Sequence, residues 1–275
     1  MIFQVYTKDQ ILKDVDDAIK NKRAFSLIRF GDGGLKAMQS LLNNHEDNIE
    51  IISNKEGIPV EEFNRIISLW AIYANSADYI DTPTVYFNNR FWKRYKKDHI
   101  PINILTENLL KKWNIIYESI KIKTKEKKYC NPEFNWLSIL NYPVNLLDIL
   151  KNRKICFISI YDDIPRLSSK FDVDFHKIVG HYENQFKYSF KETIEFIEEN
   201  IDNYDLWLNS SGELGRLYSG RIKELGGVVI DMGFVAQYWY NFKRPERFNR
   251  YIEPDIQNPL LMKLTRMGKR YKDFI

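Results

Sequence analysis

Cysteine is scarce in this chain of 275 residues, which contains only two, Cys130 and Cys156. Two cysteines exclude a disulfide framework and a zinc site made of four cysteines. The four histidines show no metal-ligand spacing on one helix, so we expect no zinc site. Cys156 lies in the apolar run KICFISI, and we expect it to be a small buried hydrophobic residue.

Long hydrophobic runs are also absent. No stretch approaches the roughly 20 apolar residues that a membrane-spanning helix needs, and the N-terminal MIFQVYTKDQ lacks the segments of a signal peptide. Neither sign of charge dominates, since 41 basic and 37 acidic residues leave a formal net charge of +4. This balance gives no strong nucleic-acid footprint but suits a small anionic ligand such as a nucleotide. We therefore expect a cytoplasmic protein that does not bind nucleic acid.

The residues that are abundant favour a single α/β domain over 1–275. Hydrophobic residues make up 44% of the chain, which is enough for a substantial core. Continuous apolar runs alternate with amphipathic segments of helical periodicity. This alternation is typical of a Rossmann-like, mostly parallel sheet with helices on both faces. A helical and polar segment at about 106–130 interrupts the pattern.

The periodicity predicts individual elements along the chain. Helices are expected at 7–21, 35–42, 60–76, 106–117, 143–150, 189–201 and 212–225, and strands at 25–30, 84–87, 154–161, 175–180, 206–209 and 227–232. Lysines between 121 and 128 are assigned to a polar link. Parallel sheets bind ligands at the carboxyl ends of their strands. The loops expected there are 31–34, 87–90, 161–165, 209–215 and the segment after 231.

The first of these loops, within FSLIRFGDGGLKAM (25–38), places Asp32 in a glycine-rich turn. Glycine allows a ligand to approach the backbone closely, and a helix N-terminus offers free N–H groups to an anion. Asp32 either caps the following helix or ligates a divalent cation that bridges a nucleotide diphosphate. Because one carboxylate rarely holds such an ion alone, candidates to complete its ligands are Asp162, Asp163, Glu213 and Asp231.

The stretch WLNSSGELGRLYSG (207–220) is predicted to be a strand, a Ser/Gly turn and a helix. Its turn resembles a phosphate-cradling loop, because small residues let backbone amides face an anion and Ser210 and Ser211 add hydroxyl donors. It lacks both a complete Gly-x-Gly-x-x-Gly pattern and the P-loop lysine. An ordinary capped helix, with Gly212 and Gly215 packed against the sheet, explains the pattern equally well.

A basic and aromatic segment follows the predicted strand 84–87. Arg90, beside Asn89, can fork to a phosphate or a sugar hydroxyl, and Trp92 can stack on a base or a sugar. For the cations at 93–97, a surface helix with extended Lys and Arg stems is the favoured interpretation. The pair at 162–163 likewise either belongs to the site or closes a loop.

The stretches IRFGDGG (28–34) and GGVVIDMG (226–233), in this order and separation, resemble the GT-D-fold glycosyltransferases. This bacterial family includes the glucosyltransferase of serine-rich adhesin glycosylation. The resemblance implies a UDP-sugar donor and a divalent cation, Mn²⁺ or Mg²⁺, held by Asp-X-Glu within Arg-Phe-Gly-Asp-Gly-Glu. The positions that agree with this motif are Arg29, Phe30, Gly31, Asp32 and Gly33. Gly34 stands where the family has glutamate, and the family's Asp-Ile-Gly-His is Asp-Met-Gly-Phe at 231–234.

The resemblance also implies roles for residues of this sequence. It implies transfer of a hexose from a UDP-sugar to a growing surface glycan on a protein or lipid carrier, with Asp32 at the cation or diphosphate. The motif gives Arg29, Phe30, Gly31, Gly33 and Gly34 as donor-binding candidates, and the residues of the other loops add Asn89, Arg90, Ser210, Ser211, Gly212 and Glu213. Catalysis needs a general base within reach of the acceptor hydroxyl, and the candidates are Asp162, Asp163 and Asp231.

Gly34 leaves several hypotheses open. The cation is held by Asp32 with water and a carboxylate from another loop, or arginines neutralise the leaving phosphate without a metal. Alternatively, the chain is a catalytically inactive module that binds a nucleotide sugar and partners an active glycosyltransferase. A Rossmann-like enzyme acting on NAD or another nucleotide is a further alternative. The basic, aromatic segment 265–275 is either a charged C-terminal helix or a contact with an anionic membrane at its inner face.

Overall fold

The computed structural model describes residues 5–6, 8–30, 50, 53–54, 57–81, 118, 121–123, 127–130, 146–180, 183–233, 236 and 240. The elements predicted at 35–42, 84–87 and 106–117, and the segment 265–275, lie outside these described residues. The same is true of some candidate site residues, namely Gly31, Asp32, Gly33, Gly34, Asn89 and Arg90.

Within the described residues, eight strands form one sheet. They are β1 (Val5–Tyr6), β2 (Phe25–Ile28), β3 (Tyr79–Asp81), β4 (Lys128–Cys130), β5 (Lys154–Ser159), β6 (Asp172–Lys177), β7 (Leu206–Asn209) and β8 (Val228–Asp231). Their spatial order is β1-β4-β3-β2-β8-β7-β5-β6, and all neighbouring strands are parallel. The parallel α/β sheet expected from the sequence is confirmed.

Helices lie between these strands. They are α1 (Lys8–Lys20), α2 (Val60–Ser76), α3 (Leu146–Leu150), α4 (Pro165–Ser168), α5 (Lys191–Asn200) and α6 (Gly215–Glu224). A π-helical turn (Phe186–Phe190) precedes α5, and a 3-10 turn (Ile201–Asn203) follows it. No helix in the described ranges has the length and apolar character needed to cross a membrane.

The predicted bounds of α2 and β7 are those observed, but β1, β3 and β4 are not predicted by the sequence. Each of these strands has only two or three residues, too few for a period of two to show. The assignment of 121–128 to a polar link is wrong at its end. Lys128 begins β4, and Tyr129 and Cys130 are buried. The many lysines before them give this part of the sequence the composition of a polar loop.

The two faces of the sheet are covered by separate hydrophobic clusters. One cluster joins α1, α3 and α4 to the sheet, with Leu12, Leu150 and Leu167 fully buried. The other joins α2, α5 and α6, and Trp70 is fully buried within it. Cys156 is fully buried in the second cluster, as the apolar run around it predicts.

The neighbouring strands β2 and β8 send the chain to opposite faces. The next described helix after β2 is α2, which packs on the face of the second cluster. Ala236 and Tyr240, after β8, pack on the face of the first cluster, with α1. Such a divergence is a topological switch point, and open α/β sheets bind ligands outside the carboxyl ends of the strands at such points. The residues that end β2 and β8 are therefore candidates for a ligand-binding site.

Candidate functional site

Asp231 joins the carboxyl ends of β8 and β2. Its Oδ2 accepts a hydrogen bond of 3.3 Å from the backbone N–H of Arg29, and its Oδ1 accepts one of 2.9 Å from the backbone N–H of Gly233. Burial raises the pKa of Asp231 to about 6, against the opposing influence of the Arg29 and Arg216 charges. A buried carboxylate that titrates near neutral pH is a feature of many functional sites.

Asp81, at the end of β3, lies on the other side of the same junction. Its Oδ1 accepts a hydrogen bond of 2.7 Å from the backbone N–H of Phe30, and its Oδ2 lies 3.7 Å from Arg29 Nε. Asp81 is 1% exposed and Arg29 6% exposed. Asp81 is not among the site residues predicted from the sequence. Its only signal is an acid at the end of YID, and a strand of three residues is too short to show a period of two.

Arg216, in the first turn of α6, reaches back to β2. Its Nη2 donates to the backbone carbonyl of Phe30, and its Nη1 donates to the carboxylate and the carbonyl of Glu213. The guanidinium carbon lies 4.5 Å from the ring centroid of Trp70 and 5.4 Å from that of Phe30. Arg216 is 4% exposed and Glu213 7% exposed. The cation is therefore enclosed by aromatic rings and paired with a carboxylate.

These ionisable side chains form a buried group at the switch point, which we call the switch-point cluster: Arg29, Asp81, Glu213, Arg216 and Asp231. Charges this deeply buried are tolerated only when they are paired and hydrogen-bonded. Opposite charges alternate within the cluster, and backbone N–H and C=O groups of β2 complete it. The cluster therefore stabilises the carboxyl ends of β2, β3 and β8 through paired, hydrogen-bonded charges.

The Ser/Gly turn adjoins this cluster. The Ser210 hydroxyl donates to the carbonyl of Gly233, and the Ser211 hydroxyl donates to Asn209 Oδ1 at 2.5 Å. Gly212 has φ +62°, a left-handed conformation that favours glycine. A Cβ added to Gly215 would lie 2.9 Å from Asn209 Nδ2, so this glycine permits close packing of α6 on β7. These hydrogen bonds and close contacts stabilise the conformation of the turn. Its role in donor binding stays a prediction.

Asp162 and Asp163 lie in the loop after β5 and bond elsewhere. Asp162 pairs with Lys177 at 3.1 Å on the surface, and this hydrogen bond lowers its pKa. Asp163 Oδ1 accepts a hydrogen bond of 2.8 Å from Ser168 Oγ. Neither of these contacts involves a residue of the switch-point cluster, and both are consistent with closing the loop around α4. Their catalytic role stays a prediction.

The described residues do not by themselves fit a divalent cation. Among them, no group of three or more His, Cys, Asp and Glu side chains is arranged to hold one. Asp81 and Asp231 already accept backbone N–H groups, and Glu213 is engaged by Arg216. The predicted Mn²⁺ or Mg²⁺ therefore rests on Asp32, outside the described residues.

The fold and the switch-point cluster define an α/β protein of the class that binds ligands at the carboxyl edge of a parallel sheet. The chain belongs to the GT-D-like family, whose GT-D fold-like domain matches residues 6–239. The family and fold indicated by IRFGDGG and GGVVIDMG are thus confirmed.

Solved structures are similar to this chain at low sequence identity. One, described as a new glycosyltransferase (DUF1792) from Streptococcus sanguinis, has 13% identity over 92% of this chain and 94% of its own, with a TM-score of 0.52. Another, described as the domain of unknown function 1792 with a distinct glycosyltransferase fold, has 14% identity over 90% and 83% of the two chains, with a TM-score of 0.49. No curated protein matches the sequence.

Proposed function

We propose that the protein is a glycosyltransferase that moves a hexose from a UDP-sugar to a growing bacterial surface glycan, carried on protein or lipid. The observation that carries this proposal is the contact between Asp231 and the backbone of Arg29. It unites the two stretches that resemble the family, although they lie near opposite ends of the chain. Their meeting point is the switch point of the sheet, where such folds bind ligands.

The donor diphosphate is proposed to bind between the segment after Phe30 and the Ser/Gly turn. Asp32 follows Phe30 by two residues and is assigned to the diphosphate or to a cation bound with it. The backbone N–H groups of Ser211 and Gly212 and the N-terminus of α6 are proposed to supply partial positive charge, whereas the N–H of Ser210 donates to the Ile158 carbonyl. Arg29 and Arg90 are assigned to the negative charge that develops on the leaving group.

Asp231 is the general base we favour among the candidates. A base works best when its pKa is near the operating pH, and burial raises the pKa of Asp231 to about 6. Asp162 is a weaker base because its hydrogen bond with Lys177 lowers its pKa. In the proposed step, the acceptor hydroxyl gives its proton to an Asp231 carboxylate oxygen. The acceptor oxygen bonds to the anomeric carbon, and UDP leaves with the electron pair of the broken bond.

Donor binding is the first property to test, and it requires no acceptor. The thermal midpoint of the purified chain is measured against UDP-sugars and NAD, each with Mn²⁺ and with EDTA. A ligand at about 100 times its dissociation constant stabilises the folded state by roughly 2.7 kcal/mol. We expect a shift with a UDP-sugar, reduced in Asp32→Ala and retained in the matched surface variant Asp202→Ala. No shift with any UDP-sugar, or a shift with NAD alone, contradicts the proposal.

Turnover separates the transferase from an inactive module. The observation that favours the module is Gly34 in place of the family's glutamate, together with the engagement of the described carboxylates in protein hydrogen bonds. Release of UDP from a bound UDP-sugar, with or without EDTA, supports the transferase. A donor shift without UDP release in the presence of acceptor glycans supports the partner module.

Membrane contact is a subsidiary proposal. The segment 265–275 contains Arg266, Lys269, Arg270 and Lys272 beside Tyr271 and Phe274. Such a segment is attracted to anionic lipid, which places the activity at the inner face of the membrane if the acceptor is lipid-linked. Co-sedimentation with anionic vesicles should fall when 265–275 is removed. Unchanged co-sedimentation dismisses the contact but leaves a cytoplasmic transferase.

A further inference from the structure

Both polar atoms of the Phe30 backbone are held by buried charged side chains. Its N–H donates to Asp81 Oδ1 at 2.7 Å, and its carbonyl accepts from Arg216 Nη2. Asp81 comes from the end of β3 and Arg216 from the first turn of α6, on either side of the residue. Phe30 itself is fully buried. These contacts hold the backbone of Phe30 in place just after the end of β2.

Arg216 is poorly placed to contact a ligand itself. It is 4% exposed, its Nη1 is committed to Glu213 and its Nη2 to Phe30. The aromatic rings of Trp70 and Phe30 lie within cation–π distance of the guanidinium. To reach a phosphate, the side chain would have to break a buried ion pair, which is costly. A function for Arg216 at the site must therefore act through the residues it holds.

Resting on the proposed function, we propose that Asp81 and Arg216 are positioning residues that orient the segment beginning at Gly31, and with it Asp32, toward the donor. Each holds one atom of the Phe30 backbone, so that Asp32 follows an anchored residue. Displacement of a binding group by about 1 Å can cost about 100-fold in rate. Neither Asp81 nor Arg216 belongs to the motif IRFGDGG.

Arg216→Lys is the main test variant. Lysine keeps the positive charge but lacks the planar fork that reaches Glu213 and Phe30 together. We expect the ratio kcat/KM for the UDP-sugar to fall by about 10- to 100-fold. A direct electrostatic role of Arg216 predicts a much smaller loss, because the charge remains. The matched control is Gly220→Ala, which destabilises the same helix through its overlap with Tyr73 but removes none of the groups that hold Phe30.

Hydrogen exchange gives a readout that does not depend on the donor. Amides in the peptide 28–38 are expected to exchange at least several-fold faster in Arg216→Lys than in the wild type. In Gly220→Ala, they should exchange as in the wild type at a temperature well below its Tm. If Arg216 only stabilises the fold, Arg216→Lys and Gly220→Ala should speed exchange at 28–38 equally, provided that the two substitutions lower Tm by similar amounts.

Asp81 supplies a second pair of variants, useful if Arg216→Lys does not fold. The side-chain amide in Asp81→Asn keeps an oxygen that accepts from the Phe30 N–H, whereas Asp81→Ala removes it. Faster exchange at 28–38 in Asp81→Ala than in Asp81→Asn supports positioning. Equal exchange in both and in the wild type overturns it. If the wild type binds no UDP-sugar, the proposed function fails, while the exchange data still decide whether Asp81 and Arg216 orient the segment.

Discussion

The Asp231 carboxylate accepts a hydrogen bond from the backbone N–H of Arg29, a residue 202 positions away in the chain. The contact ties the end of β8 to the end of β2, and it is buried among charges of both signs. An aspartate in this position has two properties that experiments can separate. It titrates near neutral pH, and it lies at the edge where the donor is proposed to bind.

Stability should depend on pH through Asp231. Its folded pKa is about 6, above the ordinary value of 3.8. The protonated carboxyl therefore favours folding below pH 3.8, and this contribution is lost as pH rises through about 6. For one group, the change amounts to about 2 kcal/mol between pH about 4.5 and about 7.5. Asp231→Asn lacks the titration, so relative to the wild type it should be more stable at the higher pH than at the lower.

Urea unfolding of both proteins at the two pH values measures this difference. Asp162→Asn is the control, because a surface hydrogen bond to Lys177 lowers the pKa of Asp162. Its contribution is lost as pH falls, which is the opposite sign to that of Asp231. A free-energy difference between Asp231→Asn and the wild type that does not change with pH contradicts the assignment.

Replacing Asp231 should affect the rate of transfer more strongly than it affects the free energy of unfolding. If it is the general base, Asp231→Asn lowers kcat by about 10²- to 10⁴-fold with little change in donor affinity. The wild-type rate should also decline as pH falls below about 6, when the carboxylate of Asp231 is protonated. UDP release at saturating donor and acceptor measures both effects. A rate loss of less than about tenfold in Asp231→Asn moves the role of base to Asp163 or Asp162.

Gly220→Ala should destabilise the fold, although alanine is the better helix former. In an exposed helix the change is favourable by about 0.5 to 1 kcal/mol. Here the added Cβ would overlap the ring of Tyr73, so α2 and α6 would have to separate. We expect a loss of about 1 to 3 kcal/mol in urea unfolding. Tyr73→Leu in the same chain should recover part of it, and a full loss in the double variant refutes the steric explanation.

Much of the fold can be predicted from the hydrophobic periodicity of the sequence. Only some residues of the switch-point cluster can be predicted in this way. The amphipathic spacing of Phe63, Ile66 and Trp70 is sufficient to place α2, and the apolar run LWLN to place β7. Asp81 ends a strand of three residues that leaves no periodic signal. Arg216 resembles any helical arginine until α6 is placed against β2. Short strands and contacts between distant segments are tertiary properties that local patterns do not encode.

Asn209 should matter for stability because its side chain links β7 to α6. Its Nδ2 donates to the Gly215 carbonyl at 2.5 Å and to Ser219 Oγ at 2.9 Å, and its Oδ1 accepts from Ser211. Asn209→Ala removes these partners from buried groups, at an expected cost of about 3 kcal/mol. Ser219→Ala, which removes only one bond, should cost about 1 kcal/mol. Equal midpoints for the two variants in urea contradict this account.

Gly34→Glu tests whether glycine in place of the family's glutamate makes the chain catalytically inactive. The change supplies a second carboxylate two positions after Asp32, and hard divalent cations bind carboxylate oxygens in groups. We expect the thermal shift by a UDP-sugar to become more dependent on Mn²⁺ than in the wild type. Gly34→Gln is the matched control, since its side chain has similar size and no charge. If turnover appears only in Gly34→Glu, the wild-type chain is an inactive binding module. If the wild type turns over with EDTA present and Gly34→Glu gains nothing, arginine charge suffices for leaving-group stabilisation.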